Sequence, residues 1–265
     1  MNRLIISAAP RLSRRALMGV GAAGLGGLML TGCDRLSASP PFQKFIGGGE
    51  TLSFNSQRLL LAGQPLAREF KAADLSPVFK VNGTSAPSSD DYQALMNGGF
   101  ADYRLVIDGM VNRPGRFSMS QIKAMPARTQ ITRHDCVEGW SAIGGWTGVQ
   151  LGRLLSGVGV SPGARYAVFH CADDLESSLD GSGQYYESID LFDAFHPQTI
   201  MAWALNGAPL TVGHGAPLRL RVERQLGYKH AKYVMRIQLT DRVNTIKGGK
   251  GGYWEDRGYE WYAGI

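Results

Sequence analysis

Cys136 stands in the run Arg133-His134-Asp135-Cys136-Val137-Glu138-Gly139-Trp140-Ser141, a thiol set among charged and aromatic groups. A Gly- and Trp-rich stretch follows it, Ile143-Gly144-Gly145-Trp146-Thr147-Gly148, and reads as a loop. Cysteine works as a metal ligand or a nucleophile in its thiolate form, and Arg133 or a protonated His134 beside it would lower its pKa. Two other stretches carry groups suited to an anion. In Gly213-His214-Gly215-Ala216-Pro217-Leu218-Arg219 an arginine follows a Gly-rich turn, where its planar fork can meet a phosphate. In Gly227-Tyr228-Lys229-His230-Ala231-Lys232 the basic side chains Lys229, His230 and Lys232 are clustered. Taken alone, these residues leave three other readings open. Cys136 could be a structural thiol, or form a hydrolase dyad with His170, His214 or His230. Structural zinc on His134, Cys136, His170 and Cys171 is the third, made awkward because His170 and Cys171 face opposite sides of one strand.

Several elements must bring these groups together. Residues 130–134 alternate as a strand that delivers Cys136, with His134 and Cys136 on one face and Asp135 on the other. After the Gly-rich stretch, Val149, Leu151, Leu154, Leu155 and Val158 fall at helical spacing, which predicts a helix over 148–158. Residues 103–109, 165–171, 185–191 and 233–239 read as strands, and 77–84 as a short strand closed by the Asn82-Gly83 turn. Ser118 is the N-cap of a helix over 118–125. A short helix is expected at 192–196 and a turn at 206–210, with His196, before Pro197, in a structural role. The acidic groups of 185–191 are expected to be solvated or to line a substrate approach. The tail from Gly248 to Tyr262 lacks the spacing of a phosphate-binding P-loop; its aromatics are expected to pack across the domain and rim a pocket.

The run Thr132-Arg133-His134-Asp135-Cys136-Val137-Glu138-Gly139-Trp140, continued to Leu151, closely resembles the cofactor loop of the sulfite-oxidase-fold molybdopterin oxidoreductases. It is most similar to the branch related to the catalytic subunit of the periplasmic methionine sulfoxide reductase. The resemblance covers residues 75–265. It implies an α+β fold of mixed, mainly antiparallel sheets with short helices and no C-terminal dimerisation domain. It also implies one molybdenum–molybdopterin per chain, with Cys136 as metal ligand and catalytic residue. Lys80, Val81, Asn82, Cys171, His214, Arg219, His230, Ala231 and Lys232 are implied as cofactor contacts. Cys171 departs from the small hydroxyl residue usual in the family, and His214 stands where some relatives have Asn. The reaction implied is a two-electron oxygen-atom transfer on a small oxo-substrate. Sulfite oxidases carry an Arg just after the ligand cysteine, whereas Val137-Glu138-Gly139-Trp140 follows here; an acid and an indole suit a neutral sulfoxide better than sulfite. A sulfite-oxidising dehydrogenase of the same fold is the alternative, and a cysteine hydrolase or a non-catalytic binding lipoprotein lies outside the class. Electrons would come from a separate protein, a membrane haem or quinone-linked partner, and the chain is expected to be a monomer.

Ser13-Arg14-Arg15 resembles a twin-arginine export signal, and the apolar run from Ala16 to Leu30 is too short and Gly-rich for a membrane span. It ends in Leu30-Thr31-Gly32-Cys33, similar to a lipoprotein signal whose cysteine is acylated after cleavage, and the following Asp34 resembles a signal for retention at the inner membrane. Export of folded chains suits a protein that takes up a bulky cofactor before leaving the cytoplasm. The domain reading is therefore a signal peptide over 1–32, a lipid-anchored linker over 33–76 that holds the body off the membrane and in which Ser37-Ala38-Ser39-Pro40-Pro41 reads as a tether, and a molybdopterin-binding domain over 77–265, in the periplasm. The charge balance agrees with this. The chain carries 28 Lys and Arg against 22 Asp and Glu, but Arg3, Arg11, Arg14 and Arg15 all precede Cys33. Without them 24 basic residues face 22 acidic ones, so the high pI gives no argument for nucleic acid. Cleavage and acylation would leave Cys136 and Cys171, which an oxidising compartment could join.

Overall fold

Two sheets, some of their strands alternating between core and surface and others buried along most of their length, build most of this structure, a computed structural model that describes residues 39–265 apart from Ser177, Leu179, Asp180 and Ser182. The leader, with its twin arginines and Cys33, lies outside the described residues. The described residues divide into two units, 39–62 and Gly63–Ile265.

In the second unit, five strands form one sheet: β1 (Arg104–Gly109), β2 (Gly115–Ser118), β5 (Tyr166–Asp174), β6 (Gln184–Asp190) and β10 (Val234–Thr240). Their order is β2-β1-β10-β5-β6; β1 and β10 are parallel and the other pairs antiparallel. The second sheet runs β3 (Ala127–Cys136), β4 (Trp140–Gln150), β7 (Ile200–Leu205) and β8 (Ala208–Pro209), with β9 (Arg219–Arg221) also on β7. One buried apolar cluster draws Leu105, Phe169 and Ile237 from the first sheet and Val149, Met201 and Leu220 from the second. The expected mixed, mainly antiparallel α+β architecture is what forms.

The helices of this unit are short: α2 (Asp90–Asn97), α3 (Met119–Lys123), α4 (Leu151–Val158) and α5 (Leu191–Ala194). Ser118 and Gln121 close a reciprocal capping box on α3. Leu151, Leu154, Leu155 and Val158 give α4 its buried stripe. The helix expected from residue 148 starts at Leu151, because residues 148–150 complete β4 instead. The one expected over 192–196 is α5, one residue earlier and shorter.

Three other expectations change. The Gly-rich stretch after Trp140 is not a loop but most of β4, paired with β3 from Ala127↔Val149 to Cys136↔Trp140. The connection shrinks to Val137, Glu138 and Gly139, with Gly139 at φ 84°. Gly148 allows β7 to approach: a Cβ there would lie 2.2 Å from the Met201 carbonyl oxygen, where the β4–β7 register shifts. Gly148→Ala is expected to cost about 2–4 kcal/mol of stability, read as a lower urea midpoint at unchanged m-value. A change under ~0.5 kcal/mol would mean that the strand yields freely.

Residues 77–84 form no strand. Pro77 has no N–H to give, Val78 and Val81 are exposed, and backbone carbonyls of this segment accept from side chains: Phe79 O from His214, Thr84 O from Tyr233 and Lys232. The linker reading of 33–76 also fails in part. Residues 63–76 lie along the second sheet, with Phe70 N donating to Ile131 O at 2.8 Å and Ser76 N to Ile143 O at 3.0 Å. In the first unit, Pro40–Leu60 is a helix, α1. Ser39-Pro40-Pro41, read as a tether, is a helix start, since proline suits the first helical turn, where N–H groups have no partner. Among the described residues no helix is long and apolar enough to cross a membrane.

Candidate active site

The antiparallel pairing of β3 with β4 carries Cys136 to the rim of an open cavity of roughly 790 Å³, counting its mouth. Cys136, Val137 and Glu138 supply one wall, Asn82, Gly83 and Thr84 a second, and Asp173, Leu175 and Tyr185 a third. Gly227, Tyr228, His230 and Lys232 enter from the 3₁₀ turn before β10, and Trp254 and Tyr259 from the tail. These last two stack with centroids 5.3 Å apart, so the tail rims the cavity as expected.

Cys136 is free and half-buried. Burial pushes its thiol pKa up; the backbone N–H of Glu138 and the charge of Arg219 act against that, while the Glu138 carboxylate adds to it. The cations expected beside it play no such part. Arg133 is paired with Asp135 at 2.9 Å on the exposed face, and burial, then Arg221 and Arg219, hold His134 neutral. His134 Nδ1 accepts from Arg221 Nη1 at 2.9 Å, which leaves the proton on Nε2. Arg221 is fixed in turn by Glu223, through Nε–Oε1 at 3.0 Å and Nη2–Oε2 at 2.6 Å, and Gln130 Nε2 donates to the same Oε1 at 2.9 Å. All of these side chains are buried, so cutting the pair strands a charge. Arg221→Met is expected to destabilise the chain by about 3–5 kcal/mol, and the double replacement Arg221→Met with Glu223→Leu to recover most of it, as read by urea unfolding.

Arg219 and Lys232 differ from Arg221 in having no carboxylate. Arg219 is fully buried; it donates to His214 O at 3.2 Å and to Asn82 Oδ1 and His230 O at 3.4 Å, and its Nε has no partner. Lys232 Nζ donates to the Thr84 carbonyl, to Gly213 O at 3.0 Å and to the Tyr233 hydroxyl. Burial, then the charge of Arg219, lowers the Lys232 pKa to about 7. Buried charges are normally paired, and two unpaired cations beside one cavity make a strong site for an anion. Asp173 acts on Lys232 through space without forming an ion pair with it: burial raises its pKa to about 6, Thr84 Oγ1 donates to its Oδ2 at 3.0 Å, and its Oδ1 has no partner among the described residues. The donor set therefore fits the phosphate-bearing molybdopterin, with a thiol in the same cavity for the metal.

The cofactor contacts implied by the sequence divide. Asn82, His230 and Lys232 line the cavity, and His230 Nδ1 is unpartnered while Nε2 meets Gln225 O at 2.9 Å. Arg219 sits behind them. Lys80 and Val81 do not line the cavity; they are exposed beside it. Cys171 is not at the wall, because its strand face turns it into the apolar core, and it is free of any disulfide. His214 has both ring nitrogens engaged, Nδ1 with Thr211 Oγ1 at 2.7 Å and Nε2 with Phe79 O at 3.0 Å, so it holds the 79–84 segment in place. Ala231 packs in the core and its N–H is taken by Lys229 O at 3.1 Å. Lys229 is not part of the anion site: its ammonium lies between Glu187 and Glu255 at 2.5 and 2.6 Å. Glu187, read as solvated or approach-lining, is fully buried. His170 meets Gln238 on the opposite side of β5 from Cys171, and among the described residues no three His, Cys, Asp or Glu gather as for a metal ion, which disfavours the zinc cluster. Trp146 and Arg221 were missed. Trp146 is buried with Arg221 Cζ 4.4 Å and Arg219 Cζ 5.1 Å from its ring centroid, and the Arg-Leu-Arg alternation of β9 was the available signal, since it sets both arginines on one face.

Residues 93–246 match the model of the oxidoreductase molybdopterin-binding domain. The chain is 40% identical over 164 residues to the putative protein-methionine-sulfoxide reductase subunit YedZ1 of Azospira oryzae, an alignment covering 62% of this chain and 56% of that protein. It is 33% identical over 144 residues to the protein-methionine-sulfoxide reductase catalytic subunit MsrP of Xanthomonas campestris pv. campestris, covering 52% and 44%. The aligned part is thus about half the length of these curated relatives. Among solved structures, the sulfane dehydrogenase SoxCD from Paracoccus pantotrophus aligns with a TM-score of 0.48 at 24% identity, over 54% of this chain and 39% of that one.

Proposed function

The chain belongs to the family of oxidoreductase molybdopterin-binding domains, and from that membership we propose that it is a molybdenum-dependent reductase of a neutral sulfoxide. The observation that carries the reading is the half-buried thiol of Cys136 beside two buried cations, Arg219 and Lys232, that donate to carbonyls and form no ion pair among the described residues. When bound, the molybdenum–molybdopterin group supplies a two-electron exchange of an oxygen atom. The chain's own residues do the rest. Cys136 holds the metal as a thiolate, Arg219 and Lys232 hold the phosphate, and Asn82 and His230 Nδ1 are placed to orient the pterin.

Substrate choice follows from the walls. Glu138 is fixed by accepting from Trp140 Nε1 at 2.9 Å, and it shares the cavity with Asp173 while no arginine lines it. With the phosphate of the cofactor occupying the cations, the Glu138 carboxylate next to Cys136 disfavours an anion such as sulfite and accepts a neutral sulfoxide. The relatives' names point to protein-bound methionine sulfoxide as that substrate. Export by the twin-arginine route and acylation of Cys33 would hold the enzyme on the periplasmic face of the inner membrane, where a membrane haem or quinone-linked protein could deliver electrons.

The test is to express the chain in a host that makes molybdopterin, measure metal and pterin, and assay methionine sulfoxide with a reduced dye against sulfite with an acceptor. Molybdenum near equimolar with chain, together with sulfoxide reduction, is expected. Sulfite oxidation without sulfoxide reduction would overturn the direction, and a metal-free chain from that host would overturn the reading altogether.

A further inference from the structure

Helix α1 exposes a stripe of large apolar side chains: Phe45, Leu52 and Leu59 recur every seven residues and are 78, 68 and 78% exposed, with Leu60 beside them at 80%. Phe54 lies half a turn away from Phe45, under the Arg58 guanidinium, whose Cζ is 5.2 Å from the ring centroid, so the other face carries cationic and polar groups. Gly47, Gly48 and Gly49 sit in mid-helix, and glycine is the weakest helix former after proline. Among the described residues no neighbour lies within 4 Å of where a Cβ would stand on Gly48 or Gly49, so close packing against them does not require glycine there. A helix with a glycine centre and an uncovered apolar face draws its stability from whatever covers that face.

The preceding chain limits what that can be. Only residues 34–39 separate Cys33 from α1, and six extended residues span about 20 Å at most. We infer that α1 lies in the plane of the membrane, its Phe45-Leu52-Leu59 stripe sunk among the acyl chains and its Arg58 side towards water. This rests on the anchoring of Cys33 proposed above but not on the molybdenum site. It reverses the expectation that residues 33–76 hold the body away from the bilayer: the residues after the anchor form a second contact with lipid.

The experiment uses the mature chain from residue 34, made without leader or acyl group in a host that supplies molybdopterin, floated with vesicles of phosphatidylethanolamine and phosphatidylglycerol. The chain is expected to float with the vesicles, and adding Phe45→Asp, Leu52→Asp and Leu59→Asp to lower the floated fraction about fivefold or more, with molybdenum content unchanged. Absence of flotation, or flotation insensitive to the aspartates, would overturn the inference. So would a dimer in gel filtration that the aspartates dissolve, because a second copy would then cover the stripe. Mass spectrometry of the full exported chain reads acylation of Cys33 separately, so a missing anchor and a helix that ignores lipid give different results.

Discussion

Cys136→Ala is expected to leave a folded chain that no longer retains molybdenum and whose sulfoxide turnover falls by on the order of 10³ or more, beyond the 10–100-fold typical of residues that only support a metal ligand. The thiol is half-buried at the last residue of β3, and the β3–β4 pairing continues behind it to Ala127↔Val149, so its removal opens no core cavity. Stability should change by less than ~1 kcal/mol. Thermal unfolding of the metal-free proteins, metal content after gel filtration and turnover together make the check. A variant that kept its molybdenum and its turnover would remove Cys136 from the site.

Lys232→Met should act with opposite signs on stability and on cofactor retention. In the cofactor-free fold the ammonium has a pKa near 7, pulled down by burial and then by Arg219, against about 10.4 in an unfolded chain. Between those values the unfolded chain holds a proton that the folded chain lacks. The stability of the cofactor-free protein should therefore rise from pH 7 to pH 10, by up to ~4 kcal/mol. The variant should lose that slope and be the more stable protein at neutral pH, less what the Thr84 and Gly213 carbonyls forfeit as acceptors. Asp173 adds the reverse slope lower down: with its folded pKa raised to about 6, its contribution is present in acid and fades as the pH climbs from 4 to 6. Inorganic phosphate should stabilise the parent and not the variant, while pterin content of the expressed variant should fall at least about tenfold, the scale of one lost charge-assisted contact. Urea melts at pH 7 and pH 9.5, with and without phosphate, read every part of this. Equal pH slopes in the two proteins would show that Lys232 carries no uncompensated charge.

Strands were legible from apolar alternation in residues 103–109 and from a continuous apolar run in 165–171, and a helix cap where a side chain could reach its own backbone, as at Ser118. The sequence misled where glycine and proline do unusual work. The glycines of residues 144–148 read as a loop because a strand interior seldom tolerates them, yet Gly148 serves the close approach of β7. Ser39-Pro40-Pro41 read as a tether although proline also opens helices. At the site, a thiol among charges was legible, but which cation is spent and which is spare was not. Lys229 and Lys232 are three positions apart in one basic run; only the fold sets Lys229 between Glu187 and Glu255 and leaves Lys232 with carbonyls.

The order of strands in the first sheet bears on when this molecule can become a protein at all. Strand β10 lies between β1 and β5, with Val106 against Arg236 on one side and Phe169 against Ile237 on the other. During synthesis β1–β2 and β5–β6 emerge long before it and can be no more than separate ribbons with open edges. At roughly 5–20 residues per second, the interval between Val106 and Arg236 lasts about 7–26 seconds. The anion-binding turn that ends in Lys232 leaves the ribosome just ahead of the strand that closes the sheet. Closure of the sheet and completion of the binding pocket are thus both late events: the sheet waits until translation has passed residue 240, and the pocket, walled in part by Trp254 and Tyr259, until it has passed residue 259.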